Sequence, residues 1–281
     1  MSGTCPSVVH AGSFLVSESR VQGTAGAELP EPPRKARFLL TFDDGPHANT
    51  SAVLRQLARN QLQQNIKAIF FVQTRTASGG GSRWGQFILQ KQHAEGHVLG
   101  LHTGTESHIS HTRLSQAEFD RSMRNGMEDI SRITRKPVLF VRPPYWRFNA
   151  STLSGYTRHG LHMMLTDIKA YDGLNLGWHL FRRKNFGGQL RTVGRRLTNE
   201  ELPKVDDAVP IVVTFHDTNR YTASHISEYL DLLVDEGVKS GMPLDNKCFY
   251  DETLPVVGAG LQRTTAPADQ ALPRMERAGE C

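Results

Sequence analysis

Cysteine and long apolar runs are both scarce in this chain of 281 residues. Its three cysteines, Cys5, Cys248 and Cys281, are too few and too scattered for a disulfide framework or a cysteine-rich zinc site. No stretch approaches the roughly 18 consecutive apolar residues of a membrane-spanning helix, so we expect no membrane span. The sequence therefore argues against thiolate chemistry.

Long runs of basic residues are also lacking, although the net charge is +5 at pH 7. The cluster Arg34-Lys35-Ala36-Arg37 is short, and we expect no nucleic-acid partner. The positive charge could favour an anionic surface such as an envelope polymer, or it could serve solubility alone. Oligomeric state stays open.

The N-terminal segment lacks the basic start of a secretory signal, because its first positive residue is Arg20. We therefore expect no such signal, which predicts a cytoplasmic location. Residues 1–34 are predicted to be an extension ending in a stiff proline-rich linker. Residues 35–245 are predicted to form the folded domain. Residues 246–281 are predicted to be a C-terminal tail, loosely ordered after about Val257.

Short apolar runs alternate with helical patterns across residues 35–245. The alternation predicts an α/β fold with a parallel sheet and helical crossovers, either open or closed into a barrel. Ser115 and Glu118 form a capping box at the start of one helix. The predicted strands are Arg37–Phe42, Lys67–Val72, His97–Leu101, Val138–Val141, Leu161–Leu165 and Val209–Phe215.

Unusual polar residues follow these predicted strands. In parallel α/β sheets, ligands and catalytic groups gather at the carboxyl ends of the strands. We therefore expect these side chains to share one edge. They are Asp43-Asp44, His102, Arg142-Pro143-Pro144-Tyr145, Asp167, Asp172 and His216-Asp217.

The residue types at this edge suit hydrolysis assisted by a metal. One carboxylate with two imidazoles can hold a divalent ion. Asp43 and Asp44 are neighbours that cannot point the same way, so one can bind metal while the other acts as a base beside Arg142. His216 could supply a proton, with Asp172 orienting it and raising its basicity. Such a set favours attack of water on a carbonyl.

Four of these segments resemble the polysaccharide deacetylases of the nodulation-type homology domain, which are carbohydrate esterases. The resemblance covers roughly residues 37–237 and implies a distorted (β/α)7 barrel in a single domain. It also implies removal of N-acetyl groups from polymers containing N-acetylglucosamine, or of O-acetyl groups from xylan. The matching segments are Thr41-Phe42-Asp43-Asp44-Gly45-Pro46, His102-Thr103, Arg142-Pro143-Pro144-Tyr145 and Phe215-His216-Asp217.

The resemblance implies a role for each matching residue. Asp43 is the expected base with Arg142 as its partner, and His216 is the expected acid. Asp44 and His102 are expected metal ligands, the ion being zinc, with cobalt, nickel or iron as alternatives. The expected substrate contacts are Pro144, the backbone amide of Tyr145, which would face an oxyanion, and Phe215, near which the acetyl methyl would lie.

The second motif departs from the family pattern, in which the two histidines are four residues apart. Position 106 is Glu, and the next histidine is His108. In the family a Leu-Ser pair closely follows the second histidine. Counting back from Leu114-Ser115 lands on His108, and a two-residue insertion is the simplest account of the longer spacing. We favour His108 as the third ligand, with Glu106 and His111 as alternatives.

The fourth motif, Asp-x-x-Asp-Trp in the family, also departs. The segment Lys169-Ala170-Tyr171-Asp172-Gly173 keeps only the second aspartate and loses the tryptophan. Asp172 is the candidate that tunes His216, with Asp167 as a rival. Trp146 or Trp178 could replace the lost ring.

The sequence thus predicts a metal-dependent deacetylase acting on an N-acetylated saccharide, chitin-like, peptidoglycan or exopolysaccharide. Such a substrate suggests the cell envelope or periplasm, in tension with the missing signal. Two alternatives remain: an amidohydrolase of small non-sugar amides on the same barrel, and a carbohydrate-binding protein without activity.

Overall fold

A curved parallel sheet organises residues 34–173 and 178–264, the part of the chain that the computed structural model describes. Its strands are paired in the order β5-β4-β3-β2-β1-β7-β6, with β8 beside the first half of β1. All these pairs are parallel. The strands are β1 Lys35–Asp43, β2 Ala68–Gln73, β3 Val98–Thr103, β4 Phe140–Val141, β5 His162–Met163, β6 Ile168–Lys169, β7 Ala208–His216 and β8 Leu244–Phe249.

Helices connect the strands and cover the sheet. The predicted capping box is present: the Ser115 side chain accepts from the backbone N–H of Glu118, whose carboxylate returns to the backbone of Ser115. None of the helices in the described ranges is both long enough and apolar enough to cross a membrane. The helices are α1 Thr50–Ala58, α2 Arg83–Ala94, α3 Gln116–Thr134, α4 Ala150–Arg158, α5 Arg182–Thr198, α6 Arg220–Ser224, α7 Ile226–Lys239 and α8 Thr253–Gln262.

The two faces of the sheet carry different cores, because successive side chains of a strand point to opposite sides. On the outer face, the Phe42 ring stacks on Phe70 and Phe215 at centroid distances of 4.9 and 5.6 Å. On the inner face, Leu39 belongs to a smaller buried cluster that includes Val256 of α8. Helix α8 therefore fills the inner face, while the carboxyl ends of the strands carry polar side chains.

The expectation of a loosely ordered tail after about Val257 is wrong as far as the described residues reach. The boundary placed at residue 245 falls inside β8, and α8 continues to Gln262. Val256 and Ala259 are fully buried. The sequence pattern does not predict this helix, because apolar residues occur on all of its sides and give no clear helical period. The predicted N-terminal extension (apart from residue 34) and residues 265–281 lie outside the described residues.

Candidate active site

The two neighbouring aspartates at the end of β1 point in different directions. Asp43 ends the strand and pairs in register with His216 of β7. Asp44 has a left-handed backbone, with φ 73°. Asp43 Oδ1 consequently accepts from Arg142 Nη1 at 2.8 Å, whereas Asp44 Oδ1 faces His102 Nε2 at 3.1 Å. The structure thus separates the two carboxylates, because the chain leaves the strand between them and turns at Asp44.

Three atoms of the kind that bind metals lie close together, one each from Asp44, His102 and His108. His108 Nε2 lies 3.3 Å from Asp44 Oδ1 and 3.3 Å from His102 Nε2. A point equidistant from the three atoms is about 1.9 Å from each, close to the roughly 2.0–2.1 Å of zinc–nitrogen bonds. The set of one carboxylate oxygen and two imidazole nitrogens therefore fits a first-row divalent ion.

The surrounding groups prepare these atoms as ligands. His102 Nδ1 donates to the Arg142 carbonyl at 2.8 Å, so its Nε2 presents a lone pair toward Asp44. Burial alone would raise the pKa of Asp44, but the hydrogen bond and charge of His102, together with His216 and His108, hold it well below its ordinary value. Burial also lowers the pKa of His108. Asp44 and His108 thus favour their metal-binding forms.

The two alternative third ligands do not join this group. Glu106 is exposed to solvent. His111 is buried, and its Nδ1 lies 2.7 Å from the hydroxyl of Tyr156. Burial lowers the pKa of His111 to about 3. Among the three candidates, the structure brings only His108 to Asp44.

Tyr145 links this group to the turn that follows β4. Its hydroxyl donates to the His108 carbonyl at 2.9 Å, and its ring stacks on the His108 ring with centroids 4.5 Å apart. The Pro143 and Pro144 carbonyls accept from later residues of the turn, whereas the Tyr145 N–H donates to no described residue. Pro144 is buried, and Tyr145 is 54% exposed. The Tyr145 N–H is therefore available to a substrate.

Arg142 is a fully buried guanidinium that holds Asp43. Nη1 also donates to Thr41 Oγ1 at 2.7 Å, and Nε and Nη2 donate to the Met164 and Leu165 carbonyls at 3.2 and 3.1 Å. Burial lowers the pKa of Arg142, with the charge of Asp43 opposing it. Thr41 is a member of this network that sequence reasoning missed, although it lies on the same strand face as Asp43.

His216 is paired with Asp172 on the other side of the group. Its Nδ1 donates to Asp172 Oδ1 and its backbone N–H to Oδ2, both at 2.8 Å. Burial would lower the pKa of His216, but the charge and hydrogen bond of Asp172, with the charges of Asp43 and Asp44, raise it to about 10. His216 Nε2 then faces Asp44 Oδ2 at 4.0 Å.

Two expected contacts are corrected by the structure. Asp167, the rival partner of His216, instead accepts from Arg196 at 3.1 Å and from the Val212 N–H at 2.9 Å. The Phe215 ring lies on the outer face against Phe42, so it does not line the site. Strand alternation forces this, because Phe215 points away from the face of His216.

The lost aromatic ring of the fourth motif has one described candidate replacement. The Trp146 ring centroid lies 5.0 Å from Arg142 Cζ and 4.9 Å from Lys169 Nζ. The side chain of Trp178 lies outside the described residues. Trp146 thus stands beside the partner of Asp43.

Comparison with known proteins finds a matching family model and solved relatives. A family model described as polysaccharide deacetylase matches residues 31–164. The matched region, just under half of the chain, is similar to the polysaccharide deacetylases. Chitin deacetylase from Colletotrichum lindemuthianum is 24% identical over 247 residues, which are 85% of this chain and 90% of that protein. Its solved structure superposes with a TM-score of 0.57 at 24% identity, over 78% of this chain and 89% of that one.

Two further relatives match a shorter region. Chitin deacetylase from a Pestalotiopsis species is 34% identical over 140 residues, 48% of this chain and 43% of that protein. Peptidoglycan-N-acetylglucosamine deacetylase from Bacillus cereus is 29% identical over 142 residues, 50% of this chain and 48% of that protein. The chain thus spans less than half the length of these two relatives. The (β/α)7 barrel fold predicted from the motifs is confirmed, and the relatives support the predicted family.

Proposed function

We propose that the protein is a metal-dependent hydrolase that removes N-acetyl groups from an oligo- or polysaccharide containing N-acetylglucosamine. One observation carries the proposal: the metal-type triangle of Asp44, His102 and His108 adjoins both Asp43, held by Arg142, and His216. A base and an acid beside one ligand set are what amide hydrolysis requires. The chitin and peptidoglycan deacetylases among the relatives support the substrate class.

The metal site would be formed by Asp44, His102 and His108. Zinc suits this donor set, and cobalt, nickel or iron are alternatives with the same ligand preferences. A divalent ion bound there would polarise the acetyl carbonyl and lower the pKa of water.

Asp43 would act as the general base. Because Arg142 occupies Asp43 Oδ1, the carboxylate is held in one orientation and its other oxygen can take a proton from the attacking water. Arg142 is itself fixed by Thr41 and two backbone carbonyls, so the base is rigidly supported. The water oxygen forms the new bond to the acetyl carbon.

His216 would act as the general acid. Asp172 binds Nδ1, so the second proton of the imidazolium sits on Nε2, which faces the Asp44 side of the site. That proton passes to the sugar nitrogen as the C–N bond breaks, and acetate and a free amine leave. The N–H of Tyr145 would stabilise the developing oxyanion.

The test is acetate release by the zinc-loaded protein from N-acetylated chitooligosaccharides and peptidoglycan fragments, beside small cyclic and acyclic amides. We expect acetate and free amine in equal amounts from at least one saccharide and none from the small amides. If only the small amides are hydrolysed, the proposal is wrong and the protein is an amidohydrolase of small non-sugar amides. Saccharide binding without any acetate release would replace it by a binding protein.

A further inference from the structure

Lys169 stands on the same face of the sheet as the proposed base. It pairs in register with Thr214, which pairs with Thr41 of β1. Residues in register on adjacent strands share a face, so the Lys169 side chain lies on the inner face with Thr41 and Asp43. The side chain therefore lies on the face that carries Arg142 and the proposed base, and its ammonium is near Trp146.

The charge of Lys169 is not balanced within the described protein. The neighbouring guanidinium of Arg142 is matched by Asp43, at 2.8 Å. No carboxylate of the described residues lies within ion-pair distance of Lys169 Nζ, which instead faces the Trp146 ring at 4.9 Å. Burial lowers the pKa of Lys169, and the charge of Arg142 acts in the same direction. A half-buried ammonium beside a guanidinium costs free energy that an approaching anion would offset.

The backbone positions that carry the cation and the ring have defined surroundings. Gln189 of α5 accepts from the Lys169 N–H at 2.8 Å and donates to the Lys169 carbonyl at 2.9 Å, which secures the outer edge of β6. Trp146 follows Tyr145 in a turn where both have left-handed backbones, with φ 58° and 59°. In bulky residues the left-handed conformation costs free energy, and it typically occurs at functional sites. The backbone that carries Lys169 is thus anchored to α5.

The charge at position 169 is opposite to the charge at that position of the family motif. In the family motif the position of Lys169 is an aspartate, and the motif tryptophan is absent here. Trp146 supplies a ring from a different loop, and that ring lies within 5.0 Å of two cationic groups. The exchange makes this side of the site attractive to an anion.

We propose that Lys169, held over Trp146, binds a carboxylate of the sugar next to the acetylated residue, so that the enzyme prefers acidic over neutral acetylated glycans. This inference rests on the proposed function and names the substrate class within it. The carboxylate could belong to a uronic acid or to a lactyl ether on the sugar, since both present the same group to the ammonium.

The test compares three tetrasaccharides as substrates of the zinc-loaded protein. One is neutral tetra-N-acetylchitotetraose, one alternates N-acetylglucosamine with its 3-O-lactyl derivative, and one alternates it with glucuronic acid. We expect KM to be at least about tenfold lower for one carboxylated substrate than for the neutral one, in line with charge-assisted pairing. Which carboxylated arm shows the effect identifies the source of the charge.

Two variants and a control separate recognition from structure. Lys169→Gln should remove the KM advantage while changing kcat less than about twofold, and Lys169→Arg should retain most of it. Lys136→Gln, an exposed lysine before β4, removes the same charge at the opposite edge and should change neither value. Melting temperatures verify folding, and Lys169→Met serves in its place if Lys169→Gln unfolds.

Binding measured without turnover keeps this inference separate from the proposed function. Calorimetry with the N-deacetylated carboxylated tetrasaccharides should show binding to the wild type that Lys169→Gln weakens about tenfold. If binding behaves so while no saccharide is hydrolysed, the proposed function fails and the carboxylate site stands. Equal effects of Lys169→Gln on neutral and acidic saccharides, or no preference in the wild type, would overturn the inference.

Discussion

The hydroxyl of Tyr145 donates to the backbone carbonyl of His108, and the two rings stack 4.5 Å apart. His108 belongs to the loop after β3, whereas Tyr145 follows β4, so this contact fastens the proposed third ligand to a neighbouring connection. Groups that orient a metal ligand typically change metal affinity when they are removed.

Replacing Tyr145 should therefore weaken metal binding. Tyr145→Phe keeps the stacking but loses the hydrogen bond, and we expect zinc affinity to fall a few-fold. Tyr145→Ala loses both contacts and should lower affinity by about tenfold or more. Competition with a chromophoric chelator measures the affinity. Unchanged zinc affinity in Tyr145→Ala would show that the loop holds His108 unaided.

Asp43→Asn should abolish acetate release and leave metal bound. The asparagine still accepts from Arg142 but cannot take a proton, so we expect kcat to fall by about 10²–10⁴. Metal content per chain is the accompanying measurement. Asp44→Asn is the matched comparison, since it should lose metal as well as activity. Turnover retained in Asp43→Asn would refute its role as base.

Asp172→Asn should impair His216 and shift its pH dependence. Because Asp172 contributes to raising the pKa of His216, its loss lowers that pKa, and the protonated acid disappears at a lower pH. We expect kcat to fall by at least about 10² and its alkaline limb to move to lower pH. The pH–rate profile of both proteins measures this. An alkaline limb at the same pH in both would disprove the coupling.

His97 should make the fold sensitive to acid. Its ring is buried, its Nδ1 accepts from the Ala68 N–H at 3.2 Å, and burial lowers its pKa from 6.5 to about 3. Below pH 6.5 the unfolded chain binds a proton at His97 that the folded chain does not bind. The free energy of unfolding therefore decreases as the pH is lowered. The contribution of His97 is at most about 1.4 kcal/mol per pH unit, lost between pH 6.5 and about 3.

His97→Asn tests this dependence because it keeps an acceptor near the position of Nδ1. We expect lower stability at pH 7 but a shallower loss between pH 6.5 and 4.5, measured by urea unfolding. His162→Asn, at a solvent-exposed position of β5, is the control and should keep the wild-type slope. The same slope in His97→Asn would exclude His97 as a source.

Helix α8 should stabilise the domain through its buried side. Val256→Ala removes a fully buried side chain from the inner face and should cost about 1–3 kcal/mol of unfolding free energy. Leu254→Ala is the control on the same helix, because Leu254 is 78% exposed and should change stability by less than about 0.5 kcal/mol. Equal effects of the two would mean that α8 does not pack as described.

Most of the site could be predicted from the sequence because parallel strands bring their carboxyl ends together. Asp43, Asp44, His102, Arg142 and His216 follow or end apolar runs, and the structure brings them to one edge. The burial of Phe215 was also within reach: if His216 faces the site, its neighbour on the strand must face the opposite side.

Other features depend on contacts that no local pattern encodes. His108 meets Asp44 from a loop that Tyr145 contacts from another connection. Helix α8 is apolar around its circumference, with Leu254 exposed and Val256 buried, so periodicity cannot distinguish it from a strand or a tail. Lys169 and Trp146 likewise come together from separate parts of the chain, since Lys169 ends β6 and Trp146 lies in the turn after β4.

Asp43 and His216 occupy partnered positions on adjoining strands, so the hydrogen-bonded ladder between β1 and β7 sets the spacing of the proposed base and acid. A change in the length of the connecting loops would leave that spacing untouched, because the ladder lies outside the loops. Evolution can therefore reshape the rim of this barrel toward new glycans while the reaction centre keeps its dimensions.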